Sequence, residues 1–189
     1  MNKTLDRVRE LFPEAGQISD PALREKVLKA WLEAWKASHY QQLEETPFLR
    51  GILTDINNVE HTKAVTAMCI QFAKIMKDFF HISVNMDYLI AGAILHDLGK
   101  VFEYCEKPSE LGRLFTHPIS AVYIAAREDL PLEVIHLIGA HSLEGNLIQR
   151  TTEAAIIHYM DFACAEVTLR AKTNTSLGEL ARFLVIQKR

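Results

Sequence analysis

Apolar residues recur three and four positions apart along almost the whole chain, while the apolar-polar alternation that marks a strand is hard to find. The pattern predicts a mostly α-helical protein. Residues 3–11 give a first short helix before the break at Pro13 to Gly16. Asp20 and Pro21 then have the form of an N-cap with proline at the first helical position, opening a long helix that runs towards residue 46. Val27, Trp31, Ala34 and Trp35 share one face of it. Such a stripe suits the core, or a contact with a second copy of the chain, better than a ligand box.

Pro47 closes that helix, and a turn over Gly51 to Asn58 leads into a third helix ending near Phe80, with His61 in its first turns. A fourth helix covers Asp87 to His96. The polar segment Val101 to Thr116, punctuated by Pro108 and Gly112, reads as a long loop of the kind that is often functional. His117 precedes Pro118, which disfavours helical backbone at the histidine, so His117 is expected at the N-cap of a helix over Ile119 to Glu128. Pro131 starts a helix reaching His141, residues 142–150 form a turn, and Thr151 or Thr152 caps a helix carrying His158 and Asp161. Ser176 and Glu179 have capping-box spacing for a last helix.

Composition narrows the picture. The 189 residues, 49% hydrophobic and 24% charged, suit one globular domain without repeats or linkers. A net charge of −3 argues against extended nucleic acid as a partner while allowing a local basic pocket. No apolar run approaches the roughly 20 residues that span a bilayer, and the start has no signal-peptide stretch. Cys69, Cys105 and Cys164 are far apart and form no Cys-x-x-Cys pair, which points to a reducing cytoplasm.

The chemistry gathers around Leu95-His96-Asp97-Leu98-Gly99-Lys100. Neighbours on a regular helix point about 100° apart, so His96 and Asp97 converge only where the backbone ends or bends, and Gly99 offers a helix stop there. Imidazole beside carboxylate suits a divalent transition metal, and a carboxylate can bridge two ions. Taken alone, the pair is more simply a helix C-terminus with a capping histidine and a solvated aspartate.

His61, His117, His141 and Asp161 lie on other elements, each near a helix end or on a helix with an apolar face, where side chains of a bundle converge. Six groups are too many for one ion that keeps a position open for substrate, and enough for two. Without cysteine the set suits iron, manganese, nickel or zinc. Each member also has a plainer use: His61 on a charged turn, His117 as a cap, and His141 at a helix C-terminus. Asp161 is the least ambiguous, being an acid among apolar neighbours, although a hydrogen bond from His158 on the same face would satisfy it. His136 is a further candidate near His141, while His39 and His81 read as surface or structural.

The order His61, His96-Asp97, Asp161 resembles the HD superfamily of metal-dependent phosphohydrolases, with its H…HD…D signature, over roughly residues 55–170. Glu60-His61-Thr62 and Ile94 to Lys100 are close to the family's usual wording. His117 and His141 match the subset in which further histidines hold a second metal, such as the HD-GYP cyclic-dinucleotide phosphodiesterases and HD-type 3′-to-5′ exoribonucleases. The GYP tripeptide is missing and Ser142 follows His141 where histidine or glycine is common, which removes cyclic-di-GMP cleavage. The residues before position 55 do not resemble a nucleic-acid-binding domain, which weakens the exoribonuclease reading.

The resemblance implies an all-α, single-domain helical bundle of the HD type over 1–189, with an N-terminal helical extension (1–50), a metal-binding core (55–170) and a C-terminal helix (176–187). It implies a first ion on His61, His96, Asp97 and Asp161, and a second bridged by Asp97 and held by His117 and His141. A metal-activated hydroxide would then attack a phosphomono- or phosphodiester of a small substrate, by preference a nucleotide. Asp97 and Lys100 are the catalytic candidates, Lys100 neutralising the phosphate. Arg113 and Lys107 on the long loop are weaker candidates for phosphate or substrate contact, and Asp55, Asn57, Asn58 and Lys63 lie close to His61 in sequence. A di-iron oxygenase of the same fold and a metal- or nucleotide-binding module without turnover are the alternatives.

Overall fold

The computed structural model describes residues 3–104 and 108–180. Helix α1 (Leu5–Leu11) is capped by the Thr4 hydroxyl, and α2 (Pro21–Ala37) by the Asp20 carboxylate, which accepts from the amides of Ala22 and Leu23. Helix α2 ends at Ala37 rather than near residue 46. Its last carbonyls already have partners: Lys3 Nζ donates to Trp35 O at 2.6 Å and to Ser38 O at 3.1 Å, and the Ser38 hydroxyl donates to Trp35 O at 2.9 Å. A cation at that end also complements the helix dipole. Trp31 and Trp35 are 0% and 1% exposed, so the stripe on α2 is core and offers no surface to a second copy of the chain.

The stretch read as a turn before the third helix is an antiparallel hairpin of β1 (Pro47–Leu49) and β2 (Leu53–Asn57). Strands this short carry too little alternation to announce themselves. At its tip Gly51 has φ +73° and the Ile52 amide donates to Leu49 O at 3.1 Å, the positive φ that a type II turn needs at that position.

Helix α3 (Asn58–Phe80) opens on a reciprocal capping box between Asn57 and Glu60 and closes at His81, which is left-handed with φ 57°. In α4 (Met86–Leu95) every residue from Leu89 to Leu95 is buried. A helix that is apolar all round belongs at the centre. Ile90, Ile94 and Leu95 join a cluster with residues of α1 and α2, while Leu89 and Ala93 join one with Val65 and Cys69 of α3 and Ile156 and Ile157 of α9 (Thr152–Thr173). Trp31 Nε1 donates to Ile94 O at 2.9 Å, satisfying a carbonyl at the end of α4.

The expected loop over Val101 to Thr116 contains two short helices, α5 (Lys100–Glu103) and α6 (Glu110–Leu114). Helix α7 (His117–Arg127) takes Thr116 as its N-cap, with φ −72° and ψ 162°, so His117 is its first residue. The extended backbone lies one position earlier than expected, and Glu103 Oε2 accepts from the His117 amide at 2.7 Å, holding the helical start that proline disfavours. Helix α8 (Leu132–Ala140) ends at His141, and a 3₁₀ turn over Leu143–Leu147 leads to α9, capped by Thr151. Residues 177–180 begin the last helix with the expected Ser176 and Glu179 capping box, and 181–187 lie outside the described residues. The architecture is an all-α bundle carrying a small hairpin. Among the described residues no helix is long and apolar enough to cross a membrane.

Candidate metal centre

Between α4 and α5 the chain tightens. The Leu98 amide donates to Leu95 O at 3.1 Å, Lys100 to Asp97 O at 3.1 Å and Phe102 to Gly99 O at 3.0 Å, each a span of three residues. In such turns positions three apart eclipse one another. Asp97 therefore stands over Lys100, whose Nζ donates to Asp97 Oδ2 at 2.6 Å. Helix α4 does stop just before Gly99, whose own φ is an ordinary −66°. The glycine is needed for close approach: a Cβ there would fall 1.9 Å from the carbonyl oxygen of His117. Asn58, from the first turn of α3, donates to Asp97 O at 3.1 Å and fixes the same turn from below.

Six side chains from α3, α7, α9 and the ends of α4 and α8 converge on this turn. Asp97 Oδ2 lies 3.3 Å from both His61 Nε2 and His96 Nε2, and Asp161 Oδ1 lies 3.0 Å and 3.8 Å from the same two nitrogens. Asp97 Oδ1 lies 3.4 Å from His117 Nε2 and 3.7 Å from His141 Nε2. These are two groups able to hold a metal, sharing Asp97.

The donor chemistry fits cations. His96 and His141 each direct Nδ1–H to a backbone carbonyl, Ala93 O at 2.7 Å and Ile138 O at 2.6 Å, which leaves Nε2 with a lone pair. The buried Nε2 of His141 has no hydrogen-bond partner and faces a carboxylate oxygen. A lone pair aimed at a carboxylate in a dry site is unfavourable unless a positive charge lies between them.

The titration behaviour of the metal-free protein has the same origin. Burial works against charge on His61, but hydrogen bonds to Asp161 and Asp97 outweigh it and raise the imidazole from 6.5 to about 10. Burial disfavours ionised Asp161, yet its hydrogen bond to His61 and the nearness of His96 bring it to about 2. Asp97 is likewise held well below the usual carboxylate range, against burial, by Lys100 and His96. Burial lowers His96, while Asp97 raises His141 despite burial.

A cavity of about 490 Å³ opens onto Asp97, Lys100, His117 and Asp161, with Phe48, Ile52, Leu143 and Phe162 among its apolar walls. The hairpin supplies one wall. Phe48 stacks on His61 with ring centroids 3.8 Å apart, its carbonyl accepts from Lys100 Nζ at 3.2 Å, and Arg50 at the tip lines the cavity. Nothing in the sequence marks Phe48 or Arg50. Tyr104, Glu103 and Glu144 also face the cavity. Burial pushes the Tyr104 phenol up to about 12.

Other candidates have plainer roles. His158 does not bond Asp161: its Nδ1–H donates to the His141 carbonyl at 2.6 Å, supporting the end of α8. The Thr151 amide donates to His136 Nε2 at 3.4 Å, and His39 is exposed. Asp55 pairs with Lys172 at the surface, and Asn57 caps α3. Arg113 and Lys63 do not line the cavity, and Lys107 lies outside the described residues.

The sequence profile of the HD domain matches residues 58–163. The chain is 30% identical over 174 residues to a dihydroneopterin 2′,3′-cyclic phosphate phosphodiesterase of Methanocaldococcus jannaschii, covering 85% of this chain and 70% of that protein. No solved structure matches. The profile covers the turn that carries His96 and Asp97 and all the other converging side chains, and the chain belongs to the HD domain family of metal-dependent phosphohydrolases.

Proposed function

We propose that the protein hydrolyses a phosphodiester of nucleotide size at two divalent transition-metal ions, one held by His61, His96, Asp97 and Asp161 and the other by Asp97, His117 and His141. The observation that carries this reading is the division of Asp97, with Oδ2 towards His61 and His96 and Oδ1 towards His117 and His141. Ions held there supply a water of lowered pKa and neutralise charge on phosphate oxygens. Asp97 fixes the two positions relative to each other. Lys100 donates to Asp97 and to the Phe48 carbonyl, which leaves its third N–H for charge developing on the phosphate. Asp161, at the cavity wall, accepts a hydrogen bond from the attacking water and so orients it. The water oxygen bonds to phosphorus and gives up a proton, the bond to one ester oxygen breaks, and that oxygen takes up a proton from solvent, leaving a phosphomonoester and a free hydroxyl.

The cavity volume suits one small ester. Half-buried Phe162 offers a flat apolar face to a heteroaromatic ring, with exposed Arg50 at the rim for a polar or anionic part of the substrate. The named substrate of the Methanocaldococcus relative, a 2′,3′-cyclic phosphate, supports a diester in preference to a monoester. Free thiols at Cys69 and Cys164 fit a reducing cytoplasm.

Elemental analysis by plasma mass spectrometry, on the protein and on Asp97→Ala, tests the centre. About two equivalents of iron, manganese, nickel or zinc per chain are expected, lost together in the variant. The loaded protein is expected to open 2′,3′-cyclic phosphates of nucleosides or of dihydroneopterin. Folded protein that takes up no metal would overturn the reading, and cleavage of monoesters alone would overturn the choice of diester.

A further inference from the structure

We propose, resting on the two-ion reading above, that Glu103 is a positioning residue that orients His117 and thereby sets the occupancy of the second ion. Both other histidines at helix ends, His96 and His141, are held by a carbonyl three residues earlier in their own helices, Ala93 O and Ile138 O. His117 has no such carbonyl, because it is the first residue of α7. Glu103, reaching across from α5, takes that place. Its Oε2 accepts from the His117 amide at 2.7 Å and lies 3.2 Å from the ring Nδ1. An ionised carboxylate only accepts, so Nδ1 carries the hydrogen and Nε2 presents its lone pair to Asp97 Oδ1, 3.4 Å away. One oxygen thus fixes both the backbone and the ring of this ligand.

The same residue is clamped from its other side. The His117 carbonyl packs on Gly99, where a Cβ would fall 1.9 Å from it. Helix α5 and the turn before it therefore seat His117 twice, once by contact and once by charge. Of the two contacts only the charged one tunes the imidazole: a carboxylate behind a ligating histidine fixes its tautomer and raises its basicity more than a neutral carbonyl does. Among the described residues the polar contacts of Glu103 with the candidate ligands are to His117, which only the second ion uses, so the effect falls first on that ion.

The test is a metal titration of the full chain by calorimetry with Mn²⁺, comparing the protein with Glu103→Gln and Glu103→Ala, together with ¹⁵N NMR of the histidine rings in the metal-free proteins. Two sites are expected in the starting protein. In Glu103→Ala the second site weakens by about 10–100-fold while the first is unchanged. Glu103→Gln falls between them, because its amide oxygen still accepts from Nδ1–H but carries no charge. The His117 signal shows the Nδ1–H tautomer in the starting protein and a mixture in Glu103→Ala. Equal second-site affinity in all three proteins would overturn the role of Glu103 and leave the two-ion reading intact. A single site in the starting protein would overturn both. If Glu103→Ala does not fold, unchanged second-site affinity in Glu103→Gln overturns the role by itself.

Discussion

His61 can hold a proton or a cation at Nε2, but not both. In the metal-free protein its pKa is raised above the unfolded value of 6.5 to about 10. The stability this gives is fully present below pH 6.5 and is lost as pH rises through about 10. Asp161 acts with the opposite sign: lowered from 3.8 to about 2, it stabilises above pH 3.8 and fails as pH falls through about 2. The metal-free protein is therefore expected to melt highest at mildly acidic pH and progressively lower towards pH 10. Loading metal at pH 8 in weak buffer is expected to release about one proton per chain, read with a pH-stat. Loading without acid release would show that His61 is already neutral. The six converging side chains were legible in the sequence as candidates because their residue types carry metal chemistry wherever the chain puts them. Glu103, Phe48 and Arg50 were not, because a glutamate, a phenylalanine and an arginine acquire their roles only through contacts with residues distant in sequence.

At the scale of elements, the turn between α4 and α5 does most to join the two halves of the site. Gly99 was legible as the place where the helix ends, but not as a close contact: its φ is ordinary, and a side chain there is forbidden in space. Gly99→Ala is expected to cost about 1–3 kcal/mol by overpacking, lowering the melting temperature by about 2–4 °C for each kcal/mol. Because the clash is with the backbone of His117, second-ion binding should weaken with it, as metal analysis after dialysis would show. An unchanged melting temperature would mean that α7 shifts freely away from the turn. The longer helices were readable from their periodicity and their caps at Asp20, Thr151 and Ser176, but α5 and α6, a turn or so each, were not. The early end of α2 was not, since it depends on Lys3 meeting the carbonyls of Trp35 and Ser38 from another helix. The hairpin escaped because three- and five-residue strands give no period to read.

Across the whole molecule, the described residues before position 58 supply much of the site's support. Trp31 fills the core against α4 and closes the Ile94 carbonyl, one residue before Leu95 and two before His96. Trp31→Phe leaves that buried acceptor without a donor and is expected to cost about 1–3 kcal/mol in denaturant unfolding. Metal stoichiometry should stay the same, because no ligand moves. A stability loss below a few tenths of a kcal/mol would mean that another group closes the carbonyl. The hairpin is bound to the site differently. Its tether to Lys100 is the main-chain carbonyl of Phe48, which every amino acid possesses. Residues around the tip, Arg50 above all, can therefore change from one descendant to the next while the tether persists. Substitution at the tip should then alter what the cavity admits while the turn that carries Asp97 and Lys100 keeps its form.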